Sequence, residues 1–134
     1  LDLSNMDMRR INLSKSTLMG TILKGANMNG ANLEGAVLRE ATLDEADLGG
    51  ANLAKAYLDK AYASKINLSG ANLSGASLKE ADLRFADLTW ANLQNANFEG
   101  AVLTGADFTN ADLTGVDIKK AWGYQGAKGL KLKE

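Results

Sequence analysis

The sequence predicts an all-β fold: a solenoid wound as a quadrilateral β-helix of about six four-sided coils, closed by a short C-terminal cap. Three observations carry this. A leucine or close substitute recurs at every fifth position, from Leu3, Met8 and Leu13 through Leu93, Phe98, Leu103, Phe108, Leu113 and Ile118. Alanine usually stands two places earlier, so the unit reads Ala-Asn/Asp-Leu-x-Gly or close to it, 24 times over residues 1–120. Like residues also align at a spacing of twenty. Asn12, Asn32, Asn52, Asn72 and Asn92 form a column ending in Asp112, whereas a spacing of fifteen gives Asn12, Asn27, Thr42, Tyr57.

The single unit comes first. A period of five scatters its leucines around a helical cylinder, and being odd it sends alternate leucines to opposite faces of a continuous strand. The phase must therefore be reset within each unit. A three-residue extended piece, Ala in, Asn/Asp out, Leu in, followed by a two-residue corner does this. Glycine holds the last corner position in ten units, Gly25, Gly30, Gly35 and Gly70 among them, because it accepts positive φ at little cost. Four such units make a coil, and stacking at the inter-strand spacing gives a square rod about 29 Å long.

The interior follows. Leu33, Leu53, Leu73, Leu93, Phe98, Phe108 and Leu113 are the expected core, each Leu-sized group contributing roughly 1.5–3 kcal/mol on burial. Ala63 stands where a leucine belongs, and three residues on Ile66 stands where an alanine belongs, so volume lost at one is replaced at the other. Outside, the asparagine column and its neighbour Asp7, Asn27, Asp47, Asn67, Asp87, Asp107 are expected to bond to one another along the rod and to backbone at the corners. Arg39, Asp59, Lys79, Glu99 and Lys119 alternate in sign, as do Glu40, Lys60 and Glu80, which sets register on a solvated face.

The side carrying Ile22, Thr42, Tyr62, Asp82 and Val102 is the least polar, and Phe85 and Trp90 stand at corners assigned next to it. Ile22, Tyr62, Phe85, Trp90 and Val102 are therefore the candidate partner-binding residues. The repeat breaks after Lys120. Residues 121–134 read as a cap or tail in which Trp122, Tyr124, Leu130 and Leu132 supply a lid over the last coil.

The 134 residues contain no histidine, cysteine or proline. Disulfides, thiolate nucleophiles, zinc fingers and the usual pH-7 proton shuttle are thereby excluded. With 15 basic against 16 acidic side chains, broad cationic coverage of nucleic acid is excluded as well. No phosphate-binding GxxxxGK[ST] motif and no isolated pair of buried carboxylates is evident. The reading is of a protein that is not an enzyme and has no cofactor, metal, direct nucleic-acid or membrane partner. No apolar run approaches the roughly 18 residues that cross a bilayer.

The tandem units, such as Ala31-Asn32-Leu33-Glu34-Gly35 and Ala71-Asn72-Leu73-Ser74-Gly75, resemble the pentapeptide-repeat family over about nine tenths of the chain. The resemblance implies a right-handed coil and a bacterial source, cyanobacteria being rich in such chains. It also implies one functional alternative, since some members resemble duplex DNA and modulate DNA gyrase, protecting it from quinolones. A near-neutral rod with lysines alternating among acids on one side departs from that pattern.

The function expected first is a non-enzymatic scaffold that binds a protein partner through a side or end face. Arg9, Arg10, Lys15 and Lys24 near one end, against Asp82, Asp87, Glu99, Asp107, Asp112 and Asp117 near the other, favour end-to-end homo-oligomers, with Lys128, Lys131 and Lys133 partly offsetting the acid. The cysteine-free composition suits cytoplasm, periplasm and thylakoid lumen alike, with the cytoplasm slightly favoured.

Overall fold

A computed structural model describes residues 1–131. Leu132, expected in the lid, and Lys133, expected to offset acid at that end, lie outside them. The second residue of each unit forms a parallel bridge to the residue twenty positions on, from Asp2↔Ile22 to Asn92↔Asp112, so four units complete one coil. Side 1 carries residues 2, 22, 42, 62, 82 and 102. Side 2 carries 7 to 107, side 3 carries 12 to 112 and side 4 carries 17 to 117, each in steps of twenty.

Backbone donors explain the repeat. A buried or crowded N–H must find an acceptor, so the five of each unit can be followed in turn. In the unit 71–75, Ala71 N–H donates to Leu68 O (3.1 Å), closing the corner turn. Asn72 N–H donates to Ala51 O in the coil before (2.9 Å), and Leu73 and Gly75 N–H donate to Asn92 O and Gln94 O in the coil after (2.7 and 2.8 Å). Only the fourth N–H, that of Ser74, has no backbone acceptor, and it donates to the Asn72 side chain, Oδ1, at 3.0 Å. Asparagine or aspartate at the second position is thus the acceptor the unit lacks.

The same bond recurs down side 3 from Asn12, Asn32, Asn52 and Asn92, at 3.0–3.1 Å. The expected amide-to-amide ladder in this column is corrected by these bonds, because each Oδ1 is turned to its own backbone. A bond along the rod between second positions occurs instead on side 2, from Asn67 Nδ2 to Asp47 Oδ1 (3.1 Å).

Every fifth residue from 5 to 115 has positive φ, whether glycine or not; Lys60 is at 58° and Gly75 at 68°. That φ at the third residue of a hydrogen-bonded turn is the type II pattern.

Alanines and leucines fill the interior. Leu33, Leu53, Leu73 and Leu93 stack fully buried, and Phe98 meets Phe108 edge to face at 5.9 Å between centroids. Ala63 and Ile66 are both buried. Leu113 is only half-buried, a departure from the expected core, because the side 3 ladder ends at Asp112 among the described residues.

The coil changes character at Asp117, which is followed by a 3₁₀ turn, Ile118–Lys120. Trp122 then bridges Val102, a second 3₁₀ turn covers Tyr124–Gly126, and Lys128 bridges Asp107 with an offset of 21. Tyr124 and Leu130 pack half-buried against the core. Trp122 does not join the lid: it points outward on side 1 and is largely exposed.

Aspartate caps titrate where asparagine caps do not. The hydroxyls of Thr109 and Thr114 donate to Asp107 and Asp112 (2.6 and 2.7 Å) and hold both carboxyls below their ordinary range, the Gln94 amide adding to the effect on Asp112. A carboxyl whose pKa is lowered by folding contributes stability above its unfolded value of about 3.9, and that contribution is lost as pH falls through the folded value. Tm is therefore expected to hold from neutrality to about pH 4 and to fall below it. The double variant D107N/D112N should fall less steeply, since an amide caps without titrating. Identical Tm profiles for the two proteins would remove these caps as a cause.

Candidate interaction surface

The acceptor is depleted on two adjoining sides, where Asp2 and Asp82 on side 1 and Asn97 on side 4 still provide it. Sides 2 and 3 carry Asn or Asp at every second position, but side 4 has Thr17, Val37, Tyr57 and Ser77, and side 1 has Ile22, Thr42, Tyr62 and Val102. Ile22, Val37, Tyr57, Tyr62 and Val102 have no acceptor that reaches the N–H two residues on, and the Ser and Thr hydroxyls cap more weakly than Asn or Asp. At one of these units the fold supplies a substitute. Ser64 N–H, which follows Tyr62, donates across the coils to Asp44 Oδ1 (3.0 Å), and Ser64 Oγ donates to the same oxygen (2.6 Å).

The residues in these places face water. Tyr62 is 54% exposed and Ile22 38%, with Val102 half-buried on the same side. Between Tyr62 and Val102, Asp82 is forked to Arg84 through Nε (2.9 Å) and Nη2 (2.7 Å). The guanidinium bonds keep the Asp82 carboxyl below its ordinary range.

Phe85 stands at the corner between sides 1 and 2, 60% exposed. Its ring occupies the space a Cβ on Gly105 would fill, so it leans along the rod onto a bare backbone. Trp90 is 71% exposed but stands at the corner between sides 2 and 3. The structure thus joins Ile22, Tyr62, Val102 and Phe85 in one region and places Trp90 a full side away, correcting its assignment beside side 1.

Sequence reasoning missed Tyr57. It is exposed on side 4, with the Arg39 guanidinium 4.6 Å over its ring. The signal was present, since Tyr57 is another aromatic residue where a capping side chain belongs.

At the corner between sides 4 and 1, Arg39 Nε lies 3.7 Å from Asp59, whose Oδ2 accepts from Ser77 Oγ (2.9 Å). Lys60 and Glu80 form a second pair at 3.8 Å, both exposed. Exposed pairs of this kind are worth about 0–1 kcal/mol, so the corner sets the charge pattern more than the stability.

The chain matches the family described as pentapeptide repeats, in eight copies, over residues 2–35, 23–53, 31–66, 51–84 and 81–119. No curated protein matches it. Among solved structures it is similar to HetL, a pentapeptide repeat protein involved in heterocyst differentiation regulation from the cyanobacterium Nostoc sp. strain PCC 7120. That likeness has 30% identity and a TM-score of 0.68, and covers 94% of this chain and 75% of HetL. A pentapeptide repeat protein of the Arabidopsis thaliana thylakoid lumen is 29% identical, with a TM-score of 0.44, over 87% of this chain and 64% of that one. QnrB1, a plasmid-mediated fluoroquinolone resistance protein, is 18% identical with a TM-score of 0.42, over 92% of this chain and 90% of that one. The five-residue unit, the bridges at twenty positions and the family match over residues 2–119 together establish that this chain belongs to the pentapeptide-repeat family.

Proposed function

We propose that the chain is a non-enzymatic scaffold, a right-handed rod of about six coils over residues 1–120 with a cap at 121–134. Its protein partner lies along sides 4 and 1. The observation that carries this reading is the exchange of capping Asn and Asp on those two sides for Ile22, Tyr57, Tyr62 and Val102. Forgoing a side-chain acceptor weakens the fold locally, whereas exposed tyrosines and aliphatic residues strengthen association, since aromatic residues dominate contact energies. HetL's part in the regulation of differentiation suits a scaffold of this kind.

The test compares proteins captured from a cyanobacterial lysate by the wild type, by Y57A/Y62A, by F85A and by W90A, each with unchanged Tm. The tyrosine pair and Phe85 should each lower retention of a shared partner about tenfold or more, and Trp90 should matter less. Unchanged capture by Y57A/Y62A would remove these sides as the contact surface.

The alternative, a DNA-mimicking modulator of DNA gyrase, requires acid on all its sides, and only side 2, through Asp47, Asp87 and Asp107, has it with no base between. The corner of Arg39–Asp59 and Lys60–Glu80 alternates instead, and micromolar protein should leave gyrase supercoiling unaltered.

A further inference from the structure

Asn29-Gly30 is the sole Asn-Gly pair in the chain; every other asparagine is followed by Leu, Met, Ala or Phe. Without a side chain on the following residue, the amide nitrogen after an asparagine has open access to the side-chain carbonyl carbon. We propose that Asn29 is a site of spontaneous deamidation that the coil stack holds shut and that local opening releases.

Both residues are exposed, so water reaches them. The peptide unit joining them is clamped from both directions. Its carbonyl, on Asn29, accepts from Arg10 N–H in the first coil (2.9 Å), and its N–H, on Gly30, donates to Gly49 O in the third (2.9 Å). Asn29 N–H is also bonded to Asn27 Oδ1 at 3.2 Å. Gly30 has φ 70°, which makes Asn29 the second residue of a type II turn, where ψ is near +120°. That ψ directs the Gly30 nitrogen away from the Asn29 side chain. Ring closure needs a large rotation of this peptide, and the rotation breaks both inter-coil bonds at once.

The chemistry consumes one water and releases one ammonia. The Gly30 amide nitrogen gives its proton to solvent and bonds to Asn29 Cγ, the Cγ–Nδ2 bond breaks, and ammonia leaves. Water then adds to either carbonyl of the five-membered imide, yielding aspartate or isoaspartate. Isoaspartate lengthens the main chain by one methylene, so the peptide no longer fits between Arg10 and Gly49 and the opening is recorded permanently.

The full chain is incubated at mildly alkaline pH, folded or in denaturing urea, and the peptide containing residue 29 is followed by mass spectrometry and isoaspartate detection. The folded protein should deamidate at Asn29 at least about tenfold more slowly than the unfolded one, because only the open fraction reacts. Met28→Ala empties a fully buried site beside the turn without altering any backbone donor. Molecules of this variant that keep their β circular dichroism should react faster than wild type, because the coil edge opens more often. Equal rates in the folded and unfolded wild type would overturn the proposal, as would an M28A rate, in folded molecules, equal to that of the wild type.

Discussion

Leu73→Ala is expected to lower the stability of the rod by about 2–5 kcal/mol, toward the upper part of that range. The magnitude of such a truncation depends on how far the surroundings collapse into the space left. Here they are held apart. Leu73 N–H is bonded to Asn92 O on one side, and Leu53 N–H to Asn72 O on the other, so coil spacing is set by the backbone ladder rather than by side-chain volume. The leucine is fully buried between Leu53 and Leu93 in the same stack. Leu113→Ala, in the same stack but half-buried, serves as the control and should lose markedly less. Urea midpoints measured on both variants decide the matter: equal losses would mean that the interior relaxes freely and that the ladder does not fix its dimensions.

The second large effect is a coupling. Ala63→Leu alone inserts volume beside Ile66 and should cost about 1–3 kcal/mol. Ile66→Ala alone opens a cavity and should cost about 2–5 kcal/mol. The double variant restores the ordinary Ala-and-Leu pattern of the other units and should lie close to wild type, so the two changes are strongly non-additive. Both positions are buried, and the turn bond from Ile66 N–H to Ala63 O (3.3 Å) ties them to one corner. Additive losses in a double-mutant cycle would show that the exchange of size between them is coincidental.

Much of this was legible from residue spacing alone. A leucine at every fifth place dictates a corner in every unit, and the asparagine column dictated the step of twenty that the bridges follow. The expectation that Asn and Asp at the second position bond to backbone at the corners also held, but spacing did not reveal which N–H they serve. That answer requires following each backbone N–H to its acceptor, and only coordinates show that the fourth has none but a side chain. Once this is known, the exceptions become informative, and Tyr57 stands out for the same reason as Tyr62.

Trp90 was misplaced for a different reason. Its unit follows that of Phe85 by five residues, and five residues turn the chain through one whole corner, which puts nearby positions of the sequence on different sides. The C-terminal segment was legible as a loss of pattern and as apolar material for a lid, of which Tyr124 and Leu130 pack against the core. That Trp122 and Lys128 continue the ladder depends on two 3₁₀ turns and a left-handed Gly123, none of which follows from the five-residue rule.

The twenty-residue pairing also constrains how such a chain can change length. Inserting or deleting five residues midway would preserve every local motif yet rotate all later residues by a quarter-turn relative to those before. The tyrosines of one part would then stack over the capping asparagines of another. Insertions and deletions are neutral only in whole turns, and the single extra residue separating Asp107 from Lys128 falls beyond the last regular unit, so the register of the units before it is untouched.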